Sequence, residues 1–222
     1  MSFRQYSRSG GFTLIEMMIS ASIAVGLLYA IATTALTASS TYDETMRRAR
    51  IVTQAHQVLD RIADEFVEAD LGTMSAAVPD VGASIMTFRK PASLAGSVIT
   101  WSTTRSISFQ MDQGELDDGL DNNGDGRIDE GVVVLTLDAG LLTQQQVVLC
   151  HEVRSLLEGE QSNLGDDNGN LMVDERGLVF ELNGNVLTVQ LTLETVDEDG
   201  NFLTKTVQTS VRVRNNSSEE TL

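Results

Sequence analysis

The sequence predicts an α+β fold: one long N-terminal helix, apolar in its first half and amphipathic in its second, packed on an antiparallel β-sheet head. Three observations carry this reading. From Phe12 to Leu36, Glu16 is the only formal charge in 25 residues. Apolar residues at helical spacing then run on to Ala69, with no proline before Pro79. After Pro79 the pattern changes to short apolar or alternating runs separated by turn dipeptides, which is the strand signature.

The elements follow in order. Residues 1–11 form a leader with Arg4 and Arg8 and no acid. A secretory signal places its apolar region before the cleavage site, whereas here Gly10-Gly11 precedes it, so a cut after Gly11 would leave the apolar helix on the mature protein. The two arginines favour a cytoplasmic N-terminus, which puts the bulk of the chain across the membrane. Residues 12–36 are long enough to span, since a helix rising about 1.5 Å per residue needs roughly 20 apolar residues to cross the hydrocarbon core. A carboxylate at mid-membrane costs about 2.5 to 3.5 kcal/mol, less near the interface. Glu16 therefore calls for something that offsets this cost; the alternative is an uncleaved single-span anchor in which Glu16 is favoured only by the helix N-terminal dipole, by about 0.3 to 1 kcal/mol.

The run Gly11-Phe12-Thr13-Leu14-Ile15-Glu16 between a basic leader and an apolar helix resembles the type III signal of the type IV pilin and pseudopilin superfamily. The resemblance implies a pilin-like fold and a prepilin peptidase that cuts after Gly11 and methylates the new terminus at Phe12. It also implies that Glu16 pairs with the N-terminal amine of a neighbouring subunit during assembly. The motif is specific, but it covers only the front of the chain.

Residues 37–72 are the amphipathic half of the helix. Ile51, Ala55, Val58, Leu59, Ile62, Phe66 and Ala69 line one face, while Arg47, Arg48, Asp60, Arg61, Asp64, Glu65 and Glu68 occupy the others. One helix is expected from about Thr13 to Leu71, ending at Gly72, with Gly26 a soft point worth about 1 kcal/mol relative to alanine. Residues 78–214 are the β-rich head. Strands are expected at Ser84–Phe88, Ser97–Trp101, Arg105–Met111, Val132–Leu137, Gln146–Val153, Leu178–Leu182, Val186–Leu193 and Leu203–Val213, with a type I′ turn at Asn183-Gly184 and another turn at Asp199-Gly200. Lys205 falls on the apolar face of the last strand, so it belongs near that strand's open end. Residues 215–222 form a polar tail. If successive strands form a meander, the segments around 112–131, 154–177 and 197–201 share one end of the sheet, and those around 138–145 and Asn183-Gly184 share the other.

The chain carries 32 acidic and 15 basic residues, and loss of a leader holding two of the latter gives a charge of about −19 (13 against 32). Such a polyanion repels phosphate backbones, which excludes nucleic acid as a natural partner and favours divalent cations. Two acidic segments stand out. Asp121-Asn122-Asn123-Gly124-Asp125-Gly126-Arg127-Ile128-Asp129-Glu130 aligns at an offset of 45 residues with Asp166-Asp167-Asn168-Gly169-Asn170-Leu171-Met172-Val173-Asp174-Glu175. Oxygen side chains at positions 1, 3 and 5 of a tight loop point inward, a carbonyl at position 7 joins them, and a later carboxylate closes the shell. Ca²⁺ takes about six to eight such oxygens at roughly 2.3 to 2.6 Å.

The first loop resembles the calcium loops of EF-hand and dockerin type, and still more the shorter Asp-x-Asp-x-Asp-Gly-x-x-Asp loops of β-rich extracellular proteins. That resemblance implies Asp121, Asn123, Asp125, the Arg127 carbonyl and Asp129 as ligands. It departs from the EF-hand at position 12, where Val132 stands, so Glu130, Asp117 or Asp118 would supply the missing carboxylate. The second loop has Leu171 at the glycine position; its candidates are Asp166, Asn168, Asn170, the Met172 carbonyl, Asp174 and Glu175. One or two calcium ions are thus expected, although a solvated acidic loop rich in Asn-Gly turns would need none. Seven acids between Glu115 and Glu130 against Arg127 alone weigh for the ion, because their repulsion disfavours an ordered apo loop.

No catalytic constellation is present: no Gly-x-Ser-x-Gly, phosphate loop, His-Glu-x-x-His or Cys-x-x-Cys. His56 and His151 read as packing or surface residues, and Trp101 and Tyr42 as packing residues. Cys150 is alone, which rules out an intramolecular disulfide. Many major pilins have a disulfide-bounded C-terminal region, so the chain is closer in organisation to minor subunits, such as PilW-like minor pilins or the J-type pseudopilins of type II secretion. The resulting expectation is a non-enzymatic filament subunit, held by one helix in the bacterial inner membrane with its head in the periplasm. It would then assemble with other subunits into a periplasmic or extracellular fibre. The alternative is that the helix only displays a calcium-dependent adhesive or ligand-binding head.

Overall fold

In the computed structural model the described residues are 11–76, 83–95, 98–169, 172–197 and 200–216. The chain divides into two units, residues 1–47 and 48–222. Helix α1, Leu14–Val67, is continuous across that division. In the first unit every described residue up to Met46 is exposed, including Leu14, Ile19, Leu28 and Ile31. Tyr42, expected to pack, is 63% exposed there. This part of α1 contains a window of mean hydropathy 2.0 with none of it buried, long and apolar enough to cross a membrane.

In the second unit the apolar stripe of α1 is buried as its spacing requires. Ile51, Ala55, Val58, Leu59, Ile62 and Phe66 are all inside, and they meet Met86, Phe88, Ile107, Val133, Cys150, Phe180 and Leu191 from the sheet. Phe66 is the anchor, with its ring 4.6 Å from that of Phe88 and 5.8 Å, edge-on, from that of Phe180. Burying such a ring is worth about 1.5 to 3 kcal/mol, and aromatic pairing adds about 0.5 to 1.5 kcal/mol. At the polar margin, Glu65 accepts from Arg105 at 3.1 Å and lies 3.4 Å from Lys90.

The helix stops at Val67 rather than Leu71, because the next amides are taken by the head. Asp70 N donates to the Arg89 carbonyl and Leu71 N to the Asn215 carbonyl, both at 2.9 Å. Asp70 instead caps a short 3₁₀ turn, Leu71–Thr73, accepting from Gly72 N at 3.1 Å.

The strands are β1 Ser75–Ala76, β2 Ile85–Phe88, β3 Pro91–Ala95, β4 Val98–Trp101, β5 Arg105–Met111, β6 Gly131–Leu137, β7 Gln145–Val153, β8 Leu178–Asn183, β9 Val186–Val196 and β10 Phe202–Arg212. β3 and β4 form a separate hairpin; the remaining eight make one sheet in the order β1-β2-β5-β6-β7-β9-β10, with β8 also on β9. β1 and β3 lie outside the sequence-based strands, the first because it has two residues and the second because it opens on a proline, which sheets confine to edges, bulges and a strand's first position. Lys205, opposite Leu193 on β10, is exposed. Trp101 is half-buried, and His56 and His151 are exposed.

The sheet is not a simple meander. β7 reaches β9 through Val153↔Leu193, and β8 pairs with β9 from Leu178↔Leu191 to Asn183↔Val186, both antiparallel. β7 and β8 therefore run in the same direction, end to end along β9, and the chain does not reverse across residues 154–177. The two acidic segments do share one end of the sheet: Gly131, at the start of β6, pairs with Val153, at the end of β7. The turn after β9 does not join them, because β9 continues past Leu193 back alongside β7. Asp199 of that turn, with the leader before Gly11, lies outside the described residues.

Candidate functional site

Two places carry chemistry, and each is built by its own unit. At the front of α1, Gly11, Phe12 and Thr13 precede the first helical turn, and Phe12 is 82% exposed. The Gly11–Phe12 bond is thus non-helical and accessible. Thr13 and Glu16 form a reciprocal cap: Glu16 N donates to Thr13 Oγ1 at 3.2 Å, and Thr13 N donates to Glu16 Oε2 at 3.0 Å. The Thr13 hydroxyl adds a bond to the same oxygen at 3.1 Å. This is a capping box, which satisfies helix-end amides that have no intrahelical acceptor. The signature Thr-x-x-Glu was in the sequence but lay hidden behind the charge-in-membrane anomaly. All three bonds leave Glu16 Oε1 for a further donor.

In the head, the acidic segments are two copies of one structural unit, and their 45-residue offset is kept by the bonds that shape them. Each is closed at its base by one backbone bond, Asp112 N to the Glu130 carbonyl at 3.1 Å and Leu157 N to the Glu175 carbonyl at 2.9 Å. Glu115 N then returns to Asp112 O, and Glu160 N to Leu157 O. Gly114 and Gly159 bend the chain there with φ of +95° and +100°, a region open to glycine at little cost. Asp129 accepts from Asp118 N and Gly119 N, both at 3.0 Å to Oδ1; Asp174 accepts from Asn163 N at 3.2 Å and Leu164 N at 2.9 Å. Asp121 Oδ1 accepts from Gly124 N and Asp166 Oδ1 from Gly169 N, each at 2.6 Å. Asp129 and Asp174 themselves sit at positive φ, 52° and 48°.

The most buried members are glutamates. Glu115 is 5% exposed, Glu130 0%, Glu160 1% and Glu175 0%. Glu115 Oε1 accepts from Asn122 N and Asn123 N at 3.0 and 2.7 Å, and Glu160 Oε1 from Asn168 N at 3.0 Å. Asn123 Nδ2 donates to Glu130 Oε1 at 2.6 Å, so Glu115 and Glu130 meet around one asparagine. The Oε2 atoms of Glu115, Glu130 and Glu160 are buried without a hydrogen-bond partner. Burial pushes the Glu130 carboxyl above the usual range, and the charges of Asp125 and Glu115 add to the effect. Glu160 is pushed up in the same way, by burial first and then by Glu175 and Asp167.

The remaining candidates are placed as follows. Asp125 is clamped by Arg127, whose Nη2 lies 2.6 Å from Oδ2, and this holds its carboxyl below the usual range. Arg127 also reaches Glu152 on β7 at 3.2 Å. Asp117 pairs with Arg176, joining the first copy to the residue that follows the second, and its carboxyl is likewise lowered. Asn123 Oδ1 accepts from Asp125 N at 2.9 Å. Asn170 and Leu171 lie outside the described residues. Among the described residues, no three His, Cys, Asp or Glu side chains form a group able to hold a metal ion. Sequence reasoning missed Glu115 and Glu160 as site residues. The one signal in the sequence is the pair Gly114-Glu115 and Gly159-Glu160, which keeps the 45-residue offset six residues upstream of the repeat, across five positions that do not match.

Cys150 is buried beneath α1, with Gln54 Nε2 3.7 Å from its sulfur, and desolvation raises its pKa to about 11. It is a packing residue.

A family model described as the prokaryotic N-terminal methylation motif matches residues 6–31. The chain therefore carries the prepilin-type motif of the type IV pilin and pseudopilin superfamily at its N-terminus. No curated protein and no solved structure matches the chain.

Proposed function

We propose that the chain is a minor structural subunit of a type IV filament, either a pilus or a type II secretion pseudopilus, and that calcium stabilises the loops of its head. The observation that carries the filament reading is the methylation motif over residues 6–31, standing on a helix apolar enough to span a membrane. The local geometry supports it. An exposed non-helical Gly11–Phe12 bond suits a peptidase, and Glu16 retains an oxygen for a neighbouring subunit's terminal amine. In this reading the chain is made as an inner-membrane precursor with its head in the periplasm, cut after Gly11, methylated on Phe12 and packed through its apolar half-helix into a fibre.

The calcium reading draws on the first loop, with Asp121, Asn123, Asp125, the Arg127 carbonyl, Asp129 and Glu130 as candidate ligands, and on Asp166, Asn168, Asn170, the Met172 carbonyl, Asp174 and Glu175 in the second. Buried carboxylate oxygens without a protein donor are what an oxygen-seeking cation would satisfy. Intact-mass and N-terminal peptide mass spectrometry of the native protein test the filament reading. A chain beginning at methylated Phe12 is expected. An intact Met1 would overturn it.

A further inference from the structure

We propose that the two acidic segments are a duplicated ion-binding unit, in which each copy holds one Ca²⁺ against its own buried glutamate pair: Glu115 with Glu130, and Glu160 with Glu175. This rests on the calcium reading and moves the ion inward, from the mouth of each loop to its base. It also adds two ligands, Glu115 and Glu160, that lie upstream of the loops.

Three observations carry it. First, the copies share their base closure and their main carboxylate-to-amide bonds over the described residues, although their sequences differ where the calcium-loop pattern matters most. Leu171 and Asn170 stand where the first copy has Gly126 and Asp125. What the copies share is the closing bond, the turn at Gly114 and Gly159, the aspartate that gathers two amides, and the glutamate at each margin. A ligand set confined to the loop mouth would leave the second copy weak; one built on the shared glutamates does not.

Second, Glu115, Glu130 and Glu160 are each more than nine-tenths buried, and each keeps one oxygen without a partner. They are aimed into their loops. Glu115 Oε1 is held by the amides of Asn122 and Asn123, and Glu130 by the side chain of Asn123. A buried carboxylate oxygen with no donor is costly in a folded protein, and here two of the three, in Glu115 and Glu160, hold the same position in the two copies, where one cation per copy would satisfy them.

Third, the other acids are already engaged. Asp129 and Asp174 each spend their carboxylate on two backbone amides, and Asp125 is clamped by Arg127. They shape the loop, while Glu115, Glu130 and Glu160 each keep one oxygen for an ion.

The test is calcium titration of the full mature chain in detergent, after chelator treatment, by isothermal calorimetry, with the calcium-dependent shift in thermal midpoint as a second readout. Wild type is expected to take two ions. E115Q and E130Q should each leave one, E160Q should leave one, and E115Q/E160Q none, with at least a tenfold loss of affinity at the altered copy. Glutamine keeps the oxygen that accepts from Asn123 N and removes a buried charge. The calcium-free midpoint of E115Q should therefore equal or exceed wild type, which separates lost binding from lost folding. If E115Q and E160Q bind two ions with unchanged affinity while D121N and D125N do not, this inference fails and the calcium reading survives. One ion in wild type would overturn the duplication. No binding by wild type overturns both readings.

Discussion

Glu16 has two possible services, capping its own helix and meeting a neighbour's amine, and two substitutions separate them. Thr13→Val removes the Oγ1 that accepts from Glu16 N at 3.2 Å but keeps the carboxylate charge. Losing an N-cap oxygen costs about 1 kcal/mol. At about 1.4 kcal/mol per factor of ten, that is roughly a fivefold greater opening of the first turn. Glu16→Gln does the reverse. Glutamine serves at the third position of a capping box, so the bond from Thr13 N is retained while the charge is lost. A hydrogen bond to a charged partner is worth about 1.5 to 3 kcal/mol, so the contact with a neighbouring amine should weaken roughly 10- to 100-fold. Amide hydrogen exchange at Glu16 in micelles, read beside the amount of subunit in a sheared filament fraction, checks both. Thr13→Val should speed exchange about fivefold and still assemble; Glu16→Gln should leave exchange within about twofold and fail to assemble. Wild-type assembly by Glu16→Gln together with lost assembly by Thr13→Val would refute the reasoning, since the cap would then be all that the carboxylate provides.

Phe66→Ala should destabilise the head by about 3 to 5 kcal/mol in denaturant titration of the full chain, because it empties a fully buried site and removes two ring contacts. Gly177→Ala should be destabilising by about 1 to 3 kcal/mol in the same assay, since a Cβ there would fall 1.9 Å from the Arg154 carbonyl. Cys150, buried and with a pKa of about 11, should resist iodoacetamide at pH 8 in the native protein and react at once in denaturant. Its neutral thiol also contributes stability that is fully present below its ordinary pKa of 9.0 and lost as pH rises through about 11.

The sequence was legible where a repeating pattern was enforced by packing. The stripe from Ile51 to Phe66 buried as its spacing required, and Arg105–Met111 became a strand with those limits. Phe12 to Glu16 was legible for a different reason, since a lone charge in an apolar helix has few explanations. What could not be read were choices decided by distant partners. Nothing near Asp70 in the chain says that its amide will go to Arg89, which is what ends the helix. Nor does any local signal say that β8 resumes the direction of β7, because that follows from β9 accepting both. Glu115 and Glu160 were hidden because five mismatched positions separate them from the repeat, so each looked like one more solvated charge until its burial was seen.

The arrangement of β7 and β8 has a mechanical consequence. They are the two ends of a break in what would otherwise be one long strand, and β9 lies across the break like a splint. The stitches are Arg154 N to Thr192 O, at 3.1 Å, and Thr192 N to Gly177 O, at 2.7 Å. Tension along the sheet would pass through β9 and bypass the second acidic unit, which hangs from the seam closed at its own base. That unit is held to the sheet a second time, where Glu158 accepts from Thr206 N of β10 at 3.0 Å. The first unit sits instead at the tip of the β5–β6 hairpin, closed at its own base by Asp112 N to the Glu130 carbonyl, between two strands that pair directly with each other.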